Sequence, residues 1–226
     1  KNFTREQLKD EFDKLKANAS IDAYATNAFA RVTTNRENLP KVLDLVTEVF
    51  KNPAFDAKEF EQYKATTKVD IEKNLQDPQR IAFKEYSRKT NQYAKGHPRY
   101  VPTFEEDLAE TEAVKLADLK AFHKRFYGAN NMRISIVGDF DKDAITKQLE
   151  SLYGRWNAQQ DYVRVGSPYK KVSTEHKDFN TPDKENATFV AAMAMPIGKN
   201  HKDAAALELG NYIFGGGFLN SRLATR

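Results

Sequence analysis

The run Ser20-Ile21-Asp22-Ala23-Tyr24-Ala25-Thr26-Asn27-Ala28-Phe29-Ala30-Arg31-Val32-Thr33-Thr34, followed closely by Asn38-Leu39-Pro40-Lys41-Val42-Leu43-Asp44-Leu45-Val46-Thr47-Glu48-Val49-Phe50, decides the fold class. In the first run Ile21, Ala23 and Ala25 recur with a period of two. Phe29 and, less regularly, Val32 continue it, and Asn27 supplies a turn. This is the signature of two short strands. In the second run Leu39, Val42, Leu43, Val46, Val49 and Phe50 recur at helical spacing and fill one broad face. Strands feeding into a series of helices imply an α+β fold, with helices packed on a mostly antiparallel sheet.

Working outward, Thr4 caps a first helix with Gln7 reaching back, Phe3 staples onto Leu8, and Leu8, Phe12 and Leu15 form its apolar face. After Pro53, Asp56 caps a long helix that runs to about Leu75, with Glu59 completing a capping box and Phe55 stapling onto Phe60. Asp77-Pro78 breaks that helix, and another runs through about Tyr93. Gly96-His97-Pro98 is a loop. Leu116, Leu119, Phe122 and Phe126 mark a further helix closed by Gly128. Ile134 and Ile136 then predict a buried strand ending at Val137-Gly138-Asp139. Asp141 caps one more helix along Ile145, Leu149 and Leu152.

From Gly154 to about Asp183 the chain is polar, holds Pro168 and Pro182 and lacks sustained periodicity, apart from a strand expected at Lys171 to Thr174. Ala187 to Met195 then predicts a strand, Asp203 to Phe214 a helix, Gly215-Gly216-Gly217 a break, and Ser221 to Arg226 the start of another helix. The expected organisation is a first unit over 1–157, a linker over 158–183 and an incomplete second unit over 184–226. That second unit is too short to bury a good core alone. It is expected to pack on the first unit or to continue in a longer natural chain.

The 226 residues are 40% hydrophobic and 30% charged, as in an ordinary globular protein. No apolar run approaches the roughly 18 residues that span a bilayer. The chain opens on Lys1-Asn2-Phe3 without an initiator Met, which suggests a fragment or a processed product. Zero cysteine excludes disulfides, thiolate catalysis and Cys-bound metals. It fits an exported or periplasmic bacterial protein, which is the expected compartment. The net charge of +4 comes from interspersed signs, and the nearest thing to a basic cluster is Lys170-Lys171, so nucleic acid is not an expected partner.

Four segments carry a family resemblance. They are Arg36 to Leu45 leading into Asn52-Pro53-Ala54-Phe55; Gly96-His97-Pro98 followed by Thr103 to Leu108; Leu119 to Tyr127 running into Asn131-Met132 and Val137-Gly138-Asp139-Phe140-Asp141; and Gly215-Gly216-Gly217-Phe218-Leu219-Asn220-Ser221-Arg222-Leu223. Their order and spacing resemble the M16 metallopeptidase family, of the pitrilysin, insulinase and processing-peptidase type. The resemblance implies a repeated α/β unit, two units per half-enzyme, and two halves closing around a peptide. In the catalytic half it implies a His-x-x-Glu-His helix that binds zinc and activates water, with a third ligand, a Glu, from a later helix.

This chain departs from that pattern. Its histidines are His97, His123, His176 and His201, and no two stand four apart. The third-ligand position falls on Asp70, one methylene shorter than Glu, and Tyr63 stands where another Glu is usual, about two turns earlier. Asp70 read as a solvated helix residue pairs with a Lys such as Lys73, and Glu72 sits on a different face. The expectation is therefore an inactive half with no catalytic and no metal-binding residue of its own. Zinc would belong to a catalytic partner half, on the same chain or a separate one. The His-x-x-Glu-His motif would lie just upstream of Lys1, so truncation is the alternative to its loss.

The expected role is closing the chamber and holding peptide substrate, with proteolysis performed by the partner. Gly215, Gly216, Gly217 and Phe218 are the substrate-binding candidates, set against a plain helix stop and turn. Arg226 falls about two residues short of a family Arg and takes no role. His97 reads as a turn residue with a hydrogen-bonding side chain and His123 as a partly buried structural residue. Ser221 lacks triad partners at a recognisable spacing. Two rival readings stand beside this one: a truncated catalytic half of a zinc metalloendopeptidase, and a structural scaffold like the core subunits of respiratory complexes.

Overall fold

The computed structural model describes residues 3–24 and 26–225. Ala25, expected in the first strand, and Arg226, at the end of the expected last helix, lie outside the described residues, as do Lys1 and Asn2. The fold is α+β. In chain order it runs α1 (Arg5–Lys14), β1 (Asn18–Tyr24), β2 (Asn27–Thr33), α2 (Leu39–Lys51), α3 (Ala57–Asn74), α4 (Pro78–Thr90), α5 (Phe104–Ala113), α6 (Leu116–Phe126), α7 (Lys142–Tyr153) and α8 (Ala204–Asn211).

β1 and β2 pair antiparallel, with Ala19 opposite Val32 and Ile21 opposite Ala30. The period of two therefore places these four side chains on one face of the hairpin. Ala19, Ala30 and Val32 pack against a core formed by Phe12 of α1, Ala17, and Val42, Leu45 and Val46 of α2. Val42, only 1% exposed, is its centre. The Thr34 hydroxyl and the Asn38 side-chain Nδ2 both donate to the Leu15 carbonyl at 3.0 Å, tying the end of α1 to the start of α2.

Local signals set the helix starts. Thr4 and Gln7 exchange bonds in a complete capping box. Asp56 accepts from the Glu59 amide, and Asp77 accepts from the Arg80 amide ahead of Pro78. Phe55 places its ring edge-on to His123. α7 packs along α2: the Tyr153 hydroxyl lies 2.7 Å from Thr47 Oγ1, and Gln148 donates to the Pro40 carbonyl and to Asp44, both at 2.8 Å. Lys51 caps the α7 C-terminus by donating to the Leu152 carbonyl, where the helix dipole favours a cation.

Several expectations need correction. Residues 132–137 form no strand, and Val137 is 95% exposed. Residues 187–195 and 171–174 form none either. Strand-like composition does not by itself pair a segment, and none of these three segments joins the β1–β2 hairpin. The helix expected over Asp203–Phe214 ends at Asn211, where Tyr212–Gly216 winds into a π-helical turn, and residues 221–225 form a turn rather than the start of another helix. Finally, α5 forms over Phe104–Ala113, between the expected loop at 96–98 and the helix expected from Leu116.

Candidate functional site

A cleft of about 1430 Å³ lies between the hairpin, α2 and the irregular segment 127–140. β2 forms one wall along nearly its whole length. Leu39, Val42, Leu43, Val46 and Phe50 of α2 line its base. The opposite wall holds Met132 to Val137 in an irregular, unpaired course. Arg36, on the β2–α2 connection, reaches Asp139 at 2.6 Å and bridges the two walls. The first wall is the edge of a two-stranded sheet, so it presents backbone donors and acceptors that no neighbouring strand of this sheet takes. A cleft with an apolar base and an open strand edge suits an extended peptide better than a compact polar ligand.

A second recess of about 630 Å³ lies behind the hairpin, against the α2 C-terminus and α6. His123 lines it, and its Nε2 lies 2.7 Å from the Phe50 carbonyl while its ring meets Phe55 and Tyr127. That is a structural placement, fixing α6 to the end of α2.

Among the described residues, no group of three or more His, Cys, Asp or Glu side chains stands together to hold a metal ion. The residues present do not fit zinc. Asp70 is exposed on α3, Tyr63 on the same helix is 75% exposed, and each histidine is occupied elsewhere. His97 stacks on Tyr93 at 4.3 Å and accepts the Arg99 amide. His176 sits 3.1 Å from Asp178, and His201 accepts the Asp203 amide. His123 is in α6, while His97, His176 and His201 lie outside helices and strands at three separate places in the chain.

The Gly215–Phe218 candidates do not line the cleft. They follow α8, where the π-helical turn at Tyr212–Gly216 gives way to a short 3-10 turn at Phe218–Asn220. Such π turns are frequent at functional sites. Gly217 has φ −79°, so its need for glycine is close approach: an added Cβ would meet the Tyr212 carbonyl at 3.1 Å. Phe218 takes φ +50° and is 79% exposed. Ser221 is buried and donates to the Phe218 carbonyl at 2.8 Å, which occupies the hydroxyl in closing the turn.

Two features of the site escaped the sequence reading. The Arg36–Asp139 bridge spans positions far apart in the chain, and no local pattern marks it. α5 was detectable, because Thr103-x-x-Glu106 is a capping box.

Comparison with known proteins gives a consistent result. Residues 1–103 match the family model Insulinase (Peptidase family M16), and residues 113–226 match Peptidase M16 inactive domain. A zinc protease of Rickettsia bellii is 25% identical over 228 residues, covering 99% of this chain and 52% of that protein. The probable zinc protease PqqL of Haemophilus influenzae is 24% identical over 193 residues, covering 80% of this chain and 19% of its own length. The crystal structure of a peptidase M16 inactive domain from Pseudomonas fluorescens superposes with a TM-score of 0.72 at 25% identity, covering 97% of this chain and 52% of its own. A protease from Helicobacter pylori shares the fold, with a TM-score of 0.68 at 16% identity, covering all of this chain and 54% of its own. The chain thus spans about half the length of the first relative, and less of the second. Matched along both parts of its length and in its fold, the chain belongs to the M16 peptidase family and carries a fold like that of the family's inactive domain.

Proposed function

We propose that this chain serves as a non-catalytic half of a bacterial zinc metallopeptidase, closing a chamber and holding unfolded peptide for a catalytic half that carries the zinc. The observation that carries this reading is the open β2 edge along an apolar cleft, in a chain whose histidines and Asp70 are dispersed. Such an edge recognises backbone, so it accepts peptides of many sequences, while the apolar base favours alternate apolar side chains. The Gly215–Phe218 turn is a second contact, with the exposed Phe218 ring offered to substrate. Export to the periplasm fits the absence of cysteine.

The test uses hydrogen exchange and activity together. An unstructured peptide added to the chain should slow exchange of β2 amides, and Phe218→Ala should weaken binding without changing β2. The chain alone should cleave nothing, and adding a catalytic half should restore cleavage. Peptidase activity of the purified chain with one tightly held zinc would overturn the proposal and favour a catalytic half. Unchanged β2 exchange at saturating peptide would remove the strand-addition mechanism.

A further inference from the structure

We propose that the linker is an ion-pair strap, held along α4 by charged contacts, whose release by salt frees residues 184–225 to move against the first unit. Among the described residues, every hydrogen bond and ion pair joining the chain beyond residue 160 to the first unit is made by residues 165–177. The contacts form a ladder. Arg99 donates to the carbonyls of Val165 at 2.9 Å and Gly166 at 3.0 Å. Lys170 donates to the Gln92 carbonyl at 2.6 Å and sits 3.9 Å from the Tyr93 ring centroid. Lys89 of α4 pairs with Glu175 and reaches Ser173 at 3.1 Å. Lys177 pairs with Glu85 at 2.8 Å, and Arg88 holds the other oxygen of that carboxylate, also at 2.8 Å.

Each contact includes a cation, and the two that tie Glu175 and Lys177 to α4 are ion pairs. Charge attraction therefore gives the strap its register, and the pairs lie near enough to solvent for mobile ions to screen them. The cations and anions are shared between the two sides: α4 offers Lys89 and Glu85, and the linker answers with Glu175 and Lys177. This crossed arrangement fixes one register, since sliding the linker would set like charges together. The two ion pairs lie outside the peptide cleft, whose lining includes residues 165–177 of the strap only at Val165.

Chymotrypsin reads the strap directly, because Tyr169 and Phe179 flank the two ion pairs and both rings are exposed. Cleavage at these two sites in the whole chain should rise roughly three- to tenfold between about 0.05 M and about 0.5 M sodium chloride. A free peptide of residues 161–183 corrects for the protease's own salt response. Glu85→Gln with Glu175→Gln should give the fast rate already at low salt. The charge exchange Lys89→Glu with Glu175→Lys should restore slow, salt-sensitive cleavage. A corrected rate indifferent to salt in the unmodified chain would overturn the proposal, whether or not the variants fold. A double Gln variant that folds, by circular dichroism, yet is cleaved slowly would overturn it too.

Discussion

Gly128 illustrates how a single residue fixes the approach of two segments. A Cβ there would meet the Ala158 amide nitrogen at 2.0 Å and the Asn157 carbonyl carbon at 2.6 Å. Both atoms are backbone and cannot swing aside. The neighbouring Ala129 amide donates to the Trp156 carbonyl at 2.6 Å, and the Ala158 amide donates to Asn130. Gly128→Ala should force residues 156–158 away and cost about 1–3 kcal/mol. A urea midpoint equal to that of the unmodified chain would show that the loop yields freely. Glu106 makes a different kind of residue-scale statement. The Tyr100 hydroxyl, the Thr103 amide and the Lys95 ammonium together hold its carboxyl at about 2, against an ordinary 4.5. A depressed folded-state pKa contributes stability above the ordinary value and loses it as pH falls from about 4.5 through about 2. Acid titration of the unmodified chain should therefore show a stability loss in that window which Glu106→Gln lacks. Parallel acid curves would contradict the assignment.

Elements with local signals were legible, and elements needing a distant partner were not. The starts of α1, α3 and α4 were readable because Thr4, Asp56 and Asp77 each bond a backbone amide three residues on. The hairpin is readable from the alternation at Ile21 and Ala23 with Asn27 at the turn, its strands being close in sequence, whereas Phe29 falls opposite Asp22, on the other face from Ile21 and Val32. Residues 132–137 look just as strand-like, yet composition does not say which edge would receive them. α5 has weak apolar periodicity, and its local signal is the capping box of Thr103 and Glu106. Within the site, the cleft base could be inferred from the broad apolar face of α2, while the Arg36–Asp139 bridge depends on tertiary proximity alone. Removing the cap tests how far α5 depends on it. Thr103→Ala takes the acceptor from the Glu106 amide and should cost about 1 kcal/mol. The loss should appear as faster exchange of the first-turn amides of α5, with α2 unaffected. Uniform destabilisation of both helices would indicate that the cap acts on the whole fold instead.

At the scale of the molecule, burial is the informative quantity. The described chain exposes 17829 Å². A closed globule of 226 residues would expose about 10,500 Å². Much of the difference is apolar: Phe189, Met193, Tyr212, Phe214, Phe218 and Leu219 are all largely exposed. Exposed apolar surface of that kind marks an interaction site, and on the proposed reading a catalytic half covers it. A partner that binds only the folded form stabilises it by mass action, by about 2.7 kcal/mol at a hundredfold excess over Kd. Adding a catalytic half should therefore raise the thermal midpoint of this chain and reduce its binding of a hydrophobic dye, with both effects saturating at one partner per chain. Dye binding that falls with no rise in the midpoint would mean cover by nonspecific association. Neither effect at saturating partner would mean that the exposed face has another occupant, and the half-enzyme reading would fall with it.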